Sequence, residues 1–253
     1  MSRRTILIYL VAFSLLLIGS MYDLAIEQFL NQPNHLVALF FENYATIPFY
    51  LILPIWGAVH YTLSKQSRYI LVMFCGFSLI FIDLYPLYTL PDYLVMVGSI
   101  GFCTFVLIVI IARFFELHQL RRGLHFLNFI TAQLVITMVL INLVKVGWGR
   151  VRFREFTSLS DFTPWYLPNG MNGHKSFPSG HTGAMSTCLA LVYLSKEFAR
   201  YRYHERFLWF ISLLLIVVMA LSRITLGAHF LSDTVVSFLI AFTVFNCLKR
   251  IYY

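Results

Sequence analysis

Apolar residues run along this chain in long stretches, and polar residues gather in the short gaps between them. Eight stretches approach or reach the roughly 20 residues that carry a helix across a bilayer. They lie near 5–22, 46–63, 69–90, 93–113, 124–145, 181–196, 207–223 and 232–249. Asp83, Pro86 and Asp92 interrupt the third and fourth. The pattern predicts an all-α integral membrane protein, a helical bundle of six to eight transmembrane helices. It has no linker, low-complexity tract or fixed repeat, so 1–253 reads as a single domain, with N-terminal spans over 1–123 and a motif-bearing core over 124–249.

Composition supports the same class. The 253 residues are 59% hydrophobic and only 12% charged, with a mean hydropathy of +0.76; a soluble domain sits near a quarter charged. The net charge of +8 would suit nucleic acid as a partner, but its placement argues against that. Of 19 Lys and Arg, 13 fall in gaps on one side of the predicted membrane. The six on the other side are Lys145, Arg150, Arg152, Arg154, Lys175 and Arg223, all around three polar motifs. The loop 23–45 on that second side has no Lys or Arg and carries Asp23, Glu27 and Glu42. The positive-inside rule then puts both termini in the cytoplasm and the motifs at the outer membrane–water interface. Compactness and loop style suggest a bacterial cytoplasmic membrane. Arg3 and Arg4 before an apolar run resemble a signal peptide, but no small-x-small cleavage pattern follows, and the run reads as an uncleaved first helix. Cys75, Cys103, Cys188 and Cys247 are scattered through apolar stretches and call for neither disulfide nor zinc.

The motifs carry the chemistry. His229 and Asp233, four apart, would share a helix face, where a carboxylate fixes the imidazole tautomer and leaves the other nitrogen free to attack. Arg223, two turns earlier, offers a fork for two phosphate oxygens. Pro178-Ser179-Gly180-His181 opens an apolar helix. Its backbone N–H groups suit an anion, Gly180 permits close approach, Ser179 adds a hydroxyl, and His181 stands where it could protonate a leaving oxygen. Lys145 and Arg152 would add two positive charges. Each motif alone has an ordinary reading: a structural pair, a plain turn before a helix, or snorkelling cations.

In order, Lys-x6-Arg, Pro-Ser-Gly-His and Ser-Arg-x5-His-x3-Asp resemble the three-part signature of the type 2 phosphatidic acid phosphatase superfamily, in its membrane-bound branch. The resemblance covers 145–233 and departs at Phe153, where the family usually has Pro. It implies a lipid phosphatase acting on a phosphomonoester or pyrophosphate of a lipid, such as undecaprenyl diphosphate, phosphatidylglycerol phosphate, phosphatidate or a lipid A phosphate. It implies His229 as the nucleophile forming a phosphohistidine, Asp233 orienting it, and His181 protonating the leaving group. Lys145, Arg152, Ser179, Gly180 and Arg223 would hold the phosphoryl oxygens. It calls for no metal and no cofactor, the basic residues neutralising the charge.

A phosphotransferase would carry the same motifs. A transporter of phosphorylated lipid would more naturally place its site at the midplane on broken helices, and a scaffold would need neither histidine. Trp148, Trp165 and Tyr166 fit an interfacial belt or packing within their loop. Arg150 and Arg154 are candidates for a second phosphate, and His174 and Lys175 for the headgroup. The histidines at 35, 60, 118, 125 and 204 read as structural.

Overall fold

The computed structural model describes residues 3–84 and 93–253. Pro86 and Asp92 lie outside the described residues, as does the side chain of Asp83. The chain forms helices α1 (Arg3–Leu30), α2 (Leu36–Asn43), α3 (Ile47–Tyr50), α4 (Ile52–Ser64), α5 (Arg68–Leu84), α6 (Tyr93–Phe114) and α7 (Leu117–Trp148). After an irregular loop come α8 (Gly180–Met185), a 3-10 stretch Ser186–Tyr193, α9 (Leu194–Glu197), α10 (Glu205–Thr225) and α11 (Leu231–Tyr252). No strand occurs among the described residues, and the protein is an all-α, multi-pass membrane protein.

Among the described residues, six segments are long and apolar enough to cross a bilayer: Arg3–Leu30, Leu36–Ser64, Val95–Phe114, Leu117–Glu155, Glu205–Thr225 and Leu231–Tyr252. The other two predicted spans are the 17-residue α5 and the run Gly180–Glu197. That run is not one α-helix, yet it matches α11 in depth. Ser179 N–H donates to the Asp233 carbonyl at one end, and Tyr193 stacks on Tyr253 at the other. Its ten α-helical residues and eight 3-10 residues together advance about 31 Å, because a 3-10 helix rises about 2.0 Å per residue against about 1.5 Å for an α-helix. Two side chains support the 3-10 stretch: Ser212 Oγ donates to the Cys188 carbonyl at 2.7 Å, and Gln133 Nε2 to the Ser186 carbonyl at 3.3 Å.

α11 is the centre of the bundle, packed by α1, α7, α10 and the Gly180–Glu197 run. Phe242 and Phe245 from α11 meet Phe129, Leu189 and Met219, all fully buried, from three neighbours. Leu7, Leu10, Leu17 and Met21 of α1 point outward, as lipid-facing side chains do. α4, α5 and α6 form a second group, joined to the first by contact of α4 with α7. At the end away from the motifs, Arg4 pairs with Glu205 at 3.1 Å.

Helix lengths matter for the site. α1 has 28 residues and α7 has 32, about 42 and 48 Å at about 1.5 Å per residue, against a hydrocarbon layer of about 30 Å. Both are longer than that layer, and their motif-bearing ends carry Asp23 and Lys145. α7 stops at Gly149, which has φ +63°. A Cβ there would stand 2.0 Å from the Gly170 carbonyl oxygen, so both the turn and the close approach require glycine.

Candidate functional site

The left-handed turn at Gly149 sends Arg150 inward and Arg152 outward. Arg150 is 1% exposed, and each guanidinium nitrogen has an acceptor. Nε donates to the Thr163 carbonyl at 2.9 Å and Nη2 to Asp23 Oδ2 at 3.0 Å. Nη1 donates to Asp233 Oδ1 at 2.5 Å and Ser232 Oγ at 2.9 Å. Asp23 also accepts from the Ser232 backbone N–H and hydroxyl. Asp233 Oδ2 accepts from Ser176 Oγ at 2.5 Å and from Phe230 N–H at 3.0 Å, closing the first turn of α11. The side chains of Asp23, Asp233 and Arg150 are each at most 1% exposed. The network is therefore sealed from water, and both oxygens of Asp233 are held by donors.

His229 does not share a helix with Asp233. It sits in the turn Leu226–Phe230 between α10 and α11, held by N–H donation to the Arg223 carbonyl at 3.3 Å. Gly227, with φ +65°, shapes that turn, and its carbonyl accepts from Arg154 N–H at 2.9 Å. The turn still presents Nδ1 of His229 to Asp233 Oδ2, at 3.7 Å, one short adjustment from a hydrogen bond. The ring is 2% exposed. Burial pushes its pKa down to about 3, against the opposing pull of the Asp233 carboxylate and with the help of Lys145 and Arg223. The imidazole is thus neutral across the physiological range, the form that has a lone pair to give.

In front of His229 opens a cleft of about 990 Å³. Lys145, Arg152, Arg154, Gly180, His181, Arg223 and Glu42 line its polar end, and Leu134, Met138, Leu143 and Val146 of α7 its apolar wall. Arg223 is 2% exposed, and its Nε and Nη1 are buried without a partner among the described residues; so is Nε of Arg152. Buried donors left unmade are costly, and here several converge on one volume. Arg152 Nη1 donates to Glu155 Oε1 at 3.3 Å, which holds the guanidinium at the rim. Phe153 begins the 3-10 turn Phe153–Glu155, a first position whose N–H lacks an intrahelical partner, so a Pro and a Phe are interchangeable there in hydrogen bonding. Gly180 leaves the Lys145 ammonium facing bare backbone, with 3.6 Å from Nζ to where a Cβ would stand.

Several expected placements change. Ser179 is not in the lining of the cleft. Its hydroxyl caps α8, accepting from Thr182 N–H at 3.4 Å and Oγ1 at 3.0 Å. Nε2 of His181 donates to the Glu42 carbonyl at 3.1 Å, since a carbonyl only accepts. Arg150, a candidate for a second phosphate, is instead locked behind Asp233. Arg154 does line the cleft, but its Nη1 donates to Glu42 Oε1 at 3.0 Å. His174 pairs with Glu155 at 3.4 Å, Lys175 is exposed, and neither lines the cleft. Trp148 and Trp165 pack within their loop, sandwiching Phe177, with indole N–H groups donated to the Trp165 carbonyl and Ser20 Oγ. Asp23 and Glu42 join the site from outside the three motifs, and in the sequence each is one acidic residue of the segment 23–45.

The family model for the PAP2 superfamily matches residues 122–253. Among curated proteins, none matches the chain. A solved structure, a transmembrane PAP2 type phosphatidylglycerolphosphate phosphatase from Bacillus subtilis, is similar at 18% identity. The similarity covers 83% of this chain and 96% of that one, with a TM-score of 0.35.

Proposed function

The chain belongs to the PAP2 superfamily, and from that premise we propose that it is a membrane lipid phosphatase working through a phosphohistidine. The observation that carries the reading is the convergence of unspent guanidinium donors on the cleft that His229 lines, with an apolar helix wall alongside. A phosphoryl group satisfies such donors, and a wall of Leu, Met and Val suits the hydrocarbon chain of a lipid.

His229 Nε2 attacks phosphorus while Nδ1–H is drawn to Asp233. A P–N bond forms and the P–O bond to the lipid breaks. The departing oxygen takes a proton from His181 in its imidazolium form; that proton leaves Nε2, which releases the Glu42 carbonyl, and the ring is left neutral. Arg223, Arg152 and Lys145 neutralise the oxygens in the transition state, the work a metal would otherwise do. Water then attacks the phosphohistidine, gives its proton to His181, and releases orthophosphate. Ser179 contributes by capping α8 and so holding Gly180 and His181 in place. By the distribution of basic residues, the termini are cytoplasmic and the cleft faces outward from a cytoplasmic membrane.

The test is phosphate release from a panel of lipid phosphates by the detergent-solubilised protein in EDTA, wild type against His229→Ala. Release that requires His229 and ignores EDTA supports the reading. Release that persists in His229→Ala, or that stops with EDTA, overturns it.

A further inference from the structure

We propose that Glu42 makes this site selective for lipid phosphomonoesters over lipid diphosphates. The inference rests on the phosphatase reading above and deepens it to a substrate class.

One carboxylate oxygen of Glu42, Oε1, accepts from two arginines of the cleft. Arg223 Nη2 donates to it at 2.9 Å and Arg154 Nη1 at 3.0 Å. The Glu42 carboxylate is 19% exposed and lines the cleft. Its own carbonyl accepts the His181 Nε2–H at 3.1 Å. Residue 42 thus touches the group assigned to the leaving oxygen and two arginines of the cleft, Arg223 and Arg154. The side of the cleft by His181 and Glu42 is the side on which the leaving group departs.

The two substrate classes differ on that side. A phosphomonoester releases an alcohol, which carries no charge once His181 has protonated it. A diphosphate releases a lipid phosphate, an anion, against the Glu42 carboxylate. Like charges brought together in a partly buried site are strongly unfavourable. The cation best placed to compensate is Arg154, which Glu42 already holds. Lys145, Arg152 and the remaining Nε and Nη1 of Arg223 are left for a single phosphoryl group. α2 keeps the carboxylate there: it packs on α10, and the chain just before it is anchored by Gln32 N–H donating to the Thr225 carbonyl at 2.7 Å.

The comparison that isolates the second phosphate uses one hydrocarbon chain, farnesyl monophosphate against farnesyl diphosphate, with full-length protein in detergent. Wild type is expected to show the higher kcat/KM on the monophosphate. Glu42→Gln keeps the shape, removes the charge and frees Arg154, and is expected to raise the diphosphate-to-monophosphate ratio by about tenfold or more. Adding Arg154→Ala to Glu42→Gln should remove part of that gain. An unchanged ratio in Glu42→Gln, or equal loss on both substrates, overturns the inference. Should that variant fail to fold, inhibition of the wild type decides: orthophosphate is expected to inhibit at lower concentration than pyrophosphate, and the reverse order overturns the inference. Wild type that hydrolyses neither substrate refutes the phosphatase reading instead, so the two failures are distinguishable.

Discussion

Behind His229, both oxygens of Asp233 have donors and every nitrogen of Arg150 has an acceptor, all sealed from water. In front of it, Arg223 and Arg152 keep buried N–H groups with no acceptor among the described residues. The same residue types do opposite work on the two sides of His229. A saturated arginine is a fixed strut and an unsaturated one is a receptor. The difference teaches that charge in a cleft is not evidence of binding until its hydrogen bonds have been counted. Arg150 and Arg152, two residues apart in sequence, fall on opposite sides of that line.

Breaking the centre should have the largest effect. His229→Ala is expected to lower kcat by at least about 10³-fold, as loss of a nucleophile acting within a unit does, measured as phosphate release. Next comes the rear wall. Arg150→Met leaves Asp23 and Asp233 buried without their cation, which is expected to destabilise the fold by about 3–5 kcal/mol. The readout is thermal or denaturant unfolding in detergent, with activity falling in parallel. The front wall should behave differently. Arg223→Gln is expected to cost about 10²-fold in kcat/KM and to weaken orthophosphate binding, with a smaller loss of stability than Arg150→Met. Stability in the two variants ordered the other way would erase the distinction between strut and receptor.

The smallest effect, taken per unit of pH, is a pH dependence. The folded pKa of His229 lies near 3, below its ordinary 6.5. Below pH 6.5 the unfolded chain takes up a proton that the folded protein refuses. Stability contributed by this residue is therefore complete above pH 6.5 and lost as pH falls towards 3, by up to about 1.4 kcal/mol per pH unit. His229→Gln should flatten that slope in unfolding measured across the range. It should also follow that the acid limb of activity does not come from protonation of His229 in the free protein.

Much of the bundle was legible because apolar run length carries it: α6, α7, α10 and α11 sit where hydropathy puts them. The run 181–196 has the right ends and the wrong helix type. Its 3-10 stretch depends on Ser212 and Gln133 from neighbouring helices, contacts that no local pattern encodes. The front of the site was legible in motifs, since Lys145, Arg152, His181, Arg223 and His229 do line one cleft. The rear wall was not. Asp23 reaches Arg150 across 127 residues of sequence and Ser232 across 209, and Glu42 reaches Arg223 across 181. These are tertiary pairings made by helices outside the matched region. The inward turn of Arg150 is decided by the left-handed Gly149, whose conformation only the packing against Gly170 and Asn172 reveals.

The division between front and rear is tested most directly by the affinity of the purified His229→Ala variant for orthophosphate, measured by calorimetry beside the wild type. The account predicts that the variant, without turnover, binds orthophosphate within about threefold of the wild type, because the phosphate is held by the arginines and Lys145 rather than by a neutral imidazole. Loss of binding together with activity, in a variant that remains folded, would contradict it.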